Sequence, residues 1–184
     1  ASAAEDFRHS ANSFGWIVEI DPFDNRQLPV KRTALGRFAH EDCRASRAIA
    51  GQALAFYMGD DSTGEYIYKY VSDAKWEVKD INGGYTAGDK YLNSGTLYVA
   101  KFDFDERSQK ASGEWLELNI RDPRIAGYAA YQFADQADVL VHSRLAADAL
   151  GATKMDRPEW CAVNPNNGEV YVTLTNNSNR GKAY

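Results

Sequence analysis

Alternation of apolar and polar residues runs through most of this chain, and period-two alternation marks half-buried strands. FGWIVEIDP (14–22) alternates and ends at Asp21-Pro22, a turn signal. ALAFYMGDD (53–61) is an apolar run that stops at Gly59-Asp60-Asp61. EYIYKYVS (65–72) follows after a short polar break, so these two segments predict a hairpin. GTLYVAKFDFD (95–105) alternates well, and GEWLELN (113–119) comes after a polar turn. WCAVNP and EVYVTLTNN flank Asn166-Asn167-Gly168, a strong hairpin signal.

One segment has helical spacing instead. In 132–150, Val139, Leu140, Leu145, Ala146 and Leu150 recur on one face, and Gly151 supplies a stop. The stretch 73–94 is polar and Gly-rich and reads as a long loop. VEIDPFDN, AKFDFDER and AVNPNNGE each run from a strand through Asp or Asn into a turn. That echo of antiparallel units, at unequal spacing, points to propeller blades or a sandwich. The predicted class is mainly β: part of a β-propeller of antiparallel blades, with one helical insertion near 132–150. About three blades are present, fewer than a propeller needs to close. A single domain over 1–184, with an incomplete set of blades, is therefore expected.

Composition narrows the function classes. The 184 residues suffice for one substantial core. The formal charge of −5 carries no basic footprint for nucleic acid, and it suits a cluster of carboxylates. No apolar run is long enough to span a membrane, and no signal-peptide pattern opens the chain. Two cysteines, Cys43 and Cys161, are too few for a disulfide framework, and the sequence leaves open whether they pair. Nucleotide-binding glycine loops, a GxSxG elbow and HExxH are all absent.

Four stretches could carry chemistry. RFAHEDC (37–43) puts His40 and Glu41 at a strand end, where oxygen and nitrogen ligands suit a hard cation, zinc or iron; an exposed polar turn is the competing reading. MGDDSTGE (58–65) places Asp60 beside Asp61, and adjacent carboxylates need a cation, a lysine or water to offset their repulsion. In KMDRPEW (154–160), Pro158 biases Arg157 toward an extended backbone. Arg157 and Glu159 would then point to the same side. A carboxylate gripping a metal beside a guanidinium gripping a phosphate is a useful arrangement, and a plain salt bridge is the alternative. TLTNNSNR (173–180) offers Asn and Ser groups ending in Arg180, for an anion, a calcium ion or a hydrogen-bonded turn.

Taken together and in order, FGWIVEIDPFDNRQLPVKRTALGRFAHE, YMGDDSTGEYIYKYVS, GTLYVAKFDFD, RLAADALGATKMDRPEW and GEVYVTLTNNSNR resemble the PhoX-type alkaline phosphatases over residues 13 to 180. The resemblance implies a six-bladed β-propeller with calcium and iron at its axis. It implies hydrolysis of small phosphate monoesters for phosphate acquisition, and a periplasmic or secreted location. Carried onto this chain, Glu41, Asp60 and Glu159 fall where the family places metal ligands, and Arg157 where a phosphate-contacting arginine is expected. Glu19, His40, Asp61 and Asn176 are further candidates. The family's chains are several times longer, and its upstream metal-binding cysteine has no counterpart here, so an oligomer or additional blades would complete such a site.

Two other classes remain open at this point. One is a non-catalytic propeller fragment or binding module, which metal-dependent turnover would separate from an enzyme. The other is a calcium-dependent propeller hydrolase of the lactonase or phosphotriesterase type, which ester preference would separate.

Overall fold

The computed structural model describes residues 7–178; Arg180 lies outside them. Its centre is an antiparallel sheet with the strand order β3-β4-β6-β7-β8. The strands are β3 (Arg44–Ala45), β4 (Ala53–Gly59), β6 (Ile67–Lys75), β7 (Gly95–Asp105) and β8 (Lys110–Glu117). The expected hairpins form, with Met58 opposite Tyr68 and Phe102 opposite Gly113. Three two-stranded sheets surround it. They are β1 (Val18–Glu19) with β2 (Val30–Lys31), β5 (Thr63–Glu65) with β9 (Met155–Asp156), and β10 (Pro158–Val163) with β11 (Val170–Leu174). The chain is mainly β with antiparallel sheets and few helices, and no closed ring of sheets forms among the described residues.

Period-two burial is clear on the central sheet. Met58, Tyr68, Tyr70, Leu97 and Val99 are buried on one face. On the other face Tyr57, Lys69 and Tyr98 are half-buried, with the Lys69 ammonium 4.7 Å from the Trp115 ring centroid. Helices cover the buried face: α2 (Pro123–Ala126), α3 (Gln136–Val141) and α4 (Ser143–Leu150) contribute Ile125, Val139, Ala146, Ala147 and Leu150 to the same core.

Several expectations need correction. The helix expected over 132–150 begins at Gln136, where the Asp135 side chain accepts from the Asp138 amide. It breaks at His142, whose backbone leaves the helical region and whose ring packs against Tyr131 at 4.8 Å. Gly151 does end α4, in the left-handed conformation that glycine allows. The expected loop over 73–94 is largely ordered structure: β6 continues to Lys75, and helix α1 (Gly84–Leu92) follows a 3-10 turn at Val78–Asp80. Its glycines obscured the helix, which is held by tertiary contacts: Tyr91 is buried against Trp76, and Lys90 pairs with Asp80 at 2.8 Å. The strand expected over 14–22 shrinks to Val18–Glu19.

Candidate functional site

The carboxylates gather where β4 ends. After Gly59 the chain turns, and the segment around His40 runs beside it through an antiparallel bridge between His40 and Asp60. The Glu41 amide donates to the Gly59 carbonyl (3.2 Å), and the Asp61 amide to the Ala39 carbonyl (2.9 Å). Asp60 is fully buried, and its Oδ1 accepts from the Ala39 amide at 3.2 Å. On the other flank β10 approaches so closely that a Cβ on Gly59 would sit 2.7 Å from the Pro158 carbonyl atoms, and closer still to the Glu159 oxygen. Glycine at the end of ALAFYMG is therefore what admits Glu159 to this corner.

Arg157 links the two flanks. Its Nη2 donates to Asp61 Oδ2 at 2.9 Å and lies 3.8 Å from Glu159 Oε1. Trp160 Nε1 donates to Glu41 Oε1 at 3.2 Å, so Glu41 joins the group. The extended backbone expected for Arg157 is a correction: its φ is +54°, in the left-handed region that residues other than glycine rarely occupy. The bend between β9 and β10, rather than strand alternation, brings its guanidinium beside Glu159. Strain of this kind is concentrated at functional sites.

Arg144, on α4, was not singled out from sequence. Its Nε lies 3.1 Å from Asp60 Oδ2, and its Nη2 bonds Glu65 Oε1 at 2.6 Å. The first contact is an ion pair without hydrogen-bond alignment, so Arg144 Nε and Asp60 Oδ2 both lack a hydrogen-bond partner in the described structure. Burial pushes the Asp60 carboxyl up to about 7, and the nearby Arg144 charge only partly opposes it. One signal was available: Arg144 is the lone arginine or lysine in the segment 136–150.

His40 stacks on Phe38 at 3.6 Å, and its Nε2 lies 3.0 Å from the Gly36 carbonyl oxygen. Burial lowers its imidazole to about 4, so it is neutral at pH 7. Glu19 stands apart from this group: it holds the fully buried Arg32 through Nε at 2.6 Å. Asn176 is exposed just after β11, between Thr175 and Asn177, which both bond Asp156 beside Arg157. Cys43 and Cys161 are free thiols, and burial pushes each up to about 12.

The fit to a metal is partial. Asp60 Oδ2, Asp61 Oδ1 and Glu65 Oε2 are buried acceptors without a hydrogen-bond donor, which is the chemistry a hard cation satisfies. Yet no group of three His, Cys, Asp or Glu side chains is arranged to hold an ion among the described residues. These side chains can each offer an oxygen, but they do not by themselves make a metal centre. A cavity of about 350 Å³ opens beside Arg144, lined also by Arg37, Glu65, His142 and Asp148. A larger one, about 570 Å³, lies at the start of β7 and includes none of the candidate residues.

No helix in the described residues is long and apolar enough to cross a membrane. Comparison with known proteins gives a consistent result. A search of the curated proteins finds no match. Among solved structures, Pseudomonas fluorescens PhoX in complex with vanadate, a transition state analogue, is similar at 48% identity with a TM-score of 0.81. The match covers 92% of this chain and 29% of that one, so the chain spans less than a third of the relative's length. The family model for alkaline phosphatase PhoX matches residues 2–184, and the chain belongs to that family.

Proposed function

We propose that this chain contributes to the hydrolysis of phosphate monoesters, with Arg157 holding the substrate phosphate. The observation that carries the reading is the Asp61–Arg157–Glu159 arrangement, in which a carboxylate fixes one edge of a guanidinium beside a second carboxylate. A guanidinium held this way keeps donors free for a phosphate, and preorganised charge is where such catalysis gains most. Glu41, Asp60 and Glu159 are the oxygen donors for calcium and iron in this reading, with Asp61 and His40 beside them. A bound metal would act as a Lewis acid on the phosphate and lower the pKa of water. This chain's own contribution is to orient the phosphate at the Arg157 guanidinium and to keep buried carboxylates in place through Arg144.

The fold reading follows the same line. The five-stranded antiparallel sheet and the neighbouring β10–β11 hairpin are read as portions of adjacent propeller blades in one domain, incomplete within 184 residues. Small phosphate esters are the substrates, phosphate acquisition the role, and a periplasmic or secreted location the setting. A second reading has an observation in its favour. The lack of any three-donor group among the described residues fits a non-catalytic module, or a site completed by ligands from outside this chain.

Phosphate release from p-nitrophenyl phosphate, with added calcium and with a chelator, tests the proposal. It is measured on the 184-residue chain and on a protein of the relative's full length carrying this sequence. Calcium-dependent turnover by the longer protein alone supports the reading and a site completed from outside. Turnover by the short chain supports the reaction and overturns the incompleteness. No turnover by either leaves the binding module.

A further inference from the structure

Cys43 and Cys161 are 118 residues apart in sequence, yet the residues flanking Cys43 grip Cys161 on both sides. Asp42 Oδ2 accepts from the Cys161 amide at 3.1 Å, while Asp42 Oδ1 accepts from the Cys43 amide at 2.8 Å. Arg44 Nε donates to the Cys161 carbonyl at 3.3 Å. The two cysteine amides are thus separated by two hydrogen bonds and the width of one carboxylate. One carboxylate therefore ties the two cysteine backbones side by side, and closing a disulfide requires their Cα atoms to settle about 4.4–6.8 Å apart. Cys161 is 3% exposed, and the Cys43 side chain packs against the same hydrophobic core that lines the sheet.

The position of the pair relative to the candidate site is symmetric. Cys43 follows Glu41 by two residues, and Cys161 follows Glu159 by two. The segments also meet through Trp160 and Glu41. A bond between the cysteines would tie together the two strand ends that carry those carboxylates.

We propose that Cys43 and Cys161 are a disulfide site, closed by a small disulfide oxidant as β10 docks beside β3. One cysteine thiolate attacks a sulfur of the oxidant, such as oxidised glutathione, and releases its other half as a thiol. The second cysteine thiolate displaces the bound half and forms the Sγ–Sγ bond. The two protons given up by the cysteines end on the two released thiols, and the oxidant gains the two electrons that the cysteines lose. Burial of the sulfurs directs closure to folding, before the strands shield them. The inference stands on strand geometry and is independent of the phosphatase reading.

Non-reducing peptide mapping by mass spectrometry tests it. The full chain is folded in a glutathione redox buffer and quenched with iodoacetamide. The expected result is a peptide pair joined through residues 43 and 161 in most molecules, two hydrogens lighter than the separate peptides. Dithiothreitol abolishes it, and neither Cys43→Ser nor Cys161→Ser yields it. Alkylation of both thiols after the same oxidation overturns the proposal. So does linkage only between two chains, or glutathione retained on each cysteine separately. The mapping of the unsubstituted chain decides the matter even where a variant fails to fold.

Discussion

Gly88 sits in the middle of α1, where exchange for alanine ordinarily stabilises a helix by about 1 kcal/mol. Here the opposite is expected. A Cβ at Gly88 would lie 2.5 Å from Glu19 Oε1 and closer still to Glu19 Oε2 and Arg32 Nη2. Arg32 has no exposed side-chain surface, and its guanidinium is shared among Glu19, Asp89 (2.7 Å) and Asn93 (2.7 Å). Glu19 can swing toward water, being partly exposed, but Arg32 cannot follow it. A charge-assisted hydrogen bond worth about 1.5–3 kcal/mol is then lost, against about 1 kcal/mol gained in propensity. With some overpacking added, Gly88→Ala is expected to destabilise by roughly 2 kcal/mol. Urea unfolding followed by circular dichroism measures this, with Thr86→Ala at an exposed position of the same helix as the control that should stabilise slightly. Adding Glu19→Ala to Gly88→Ala should recover part of the loss, a non-additivity that marks direct contact. A Gly88→Ala chain as stable as the parent, or more so, refutes the clamp.

Gly59→Ala should destabilise by about 1–3 kcal/mol, because the obstruction is the backbone of β10, which cannot rotate away; the same unfolding assay reads it. His40 binds its proton less readily when folded, near pH 4 against 6.5, so the unfolded chain takes up more protons between these values. Its contribution to stability is present above pH 6.5 and is lost as pH falls toward 4, by up to about 3 kcal/mol. Asp60 acts with opposite sign in an overlapping window: its carboxyl is raised, so its ionisation opposes folding as pH rises from 3.8 to about 7. His40→Asn should therefore flatten the acid-side loss in a pH series of urea unfolding curves, and an unchanged profile would contradict the buried neutral imidazole.

Hairpins were legible because their turns are written locally: the Asn166-Asn167-Gly168 turn and the break after Asp60-Asp61 both return a strand onto its neighbour. The short pairing of β5 with β9 was not, since three residues and two carry no periodicity and their partner is 90 residues away. Helix α1 was hidden by glycines and is held by contacts that only the fold supplies. Of the residues named from sequence, Asp61, Arg157 and Glu159 are in contact, through a left-handed Arg157 that proline chemistry argued against, while Asp60 faces Arg144 and Glu41 meets Trp160. Glu19, a lesser candidate, is engaged with Arg32, which in turn holds Asp89 on α1, a pairing that no local pattern announces. Arg144 was missed because it approaches from a helix, and a helical pattern says nothing of what its polar face will meet.

The most direct test of the central claim is phosphate release from p-nitrophenyl phosphate by a full-length protein carrying this sequence, with Arg157→Lys set against the unsubstituted form. Lysine keeps the charge but cannot hold Asp61 and a phosphate with one planar fork. The account predicts a loss in kcat/KM of about 100-fold or more, on the scale of one missing charge-stabilising donor, with the circular dichroism unchanged. Turnover within twofold of the parent would contradict it and remove Arg157 from the site.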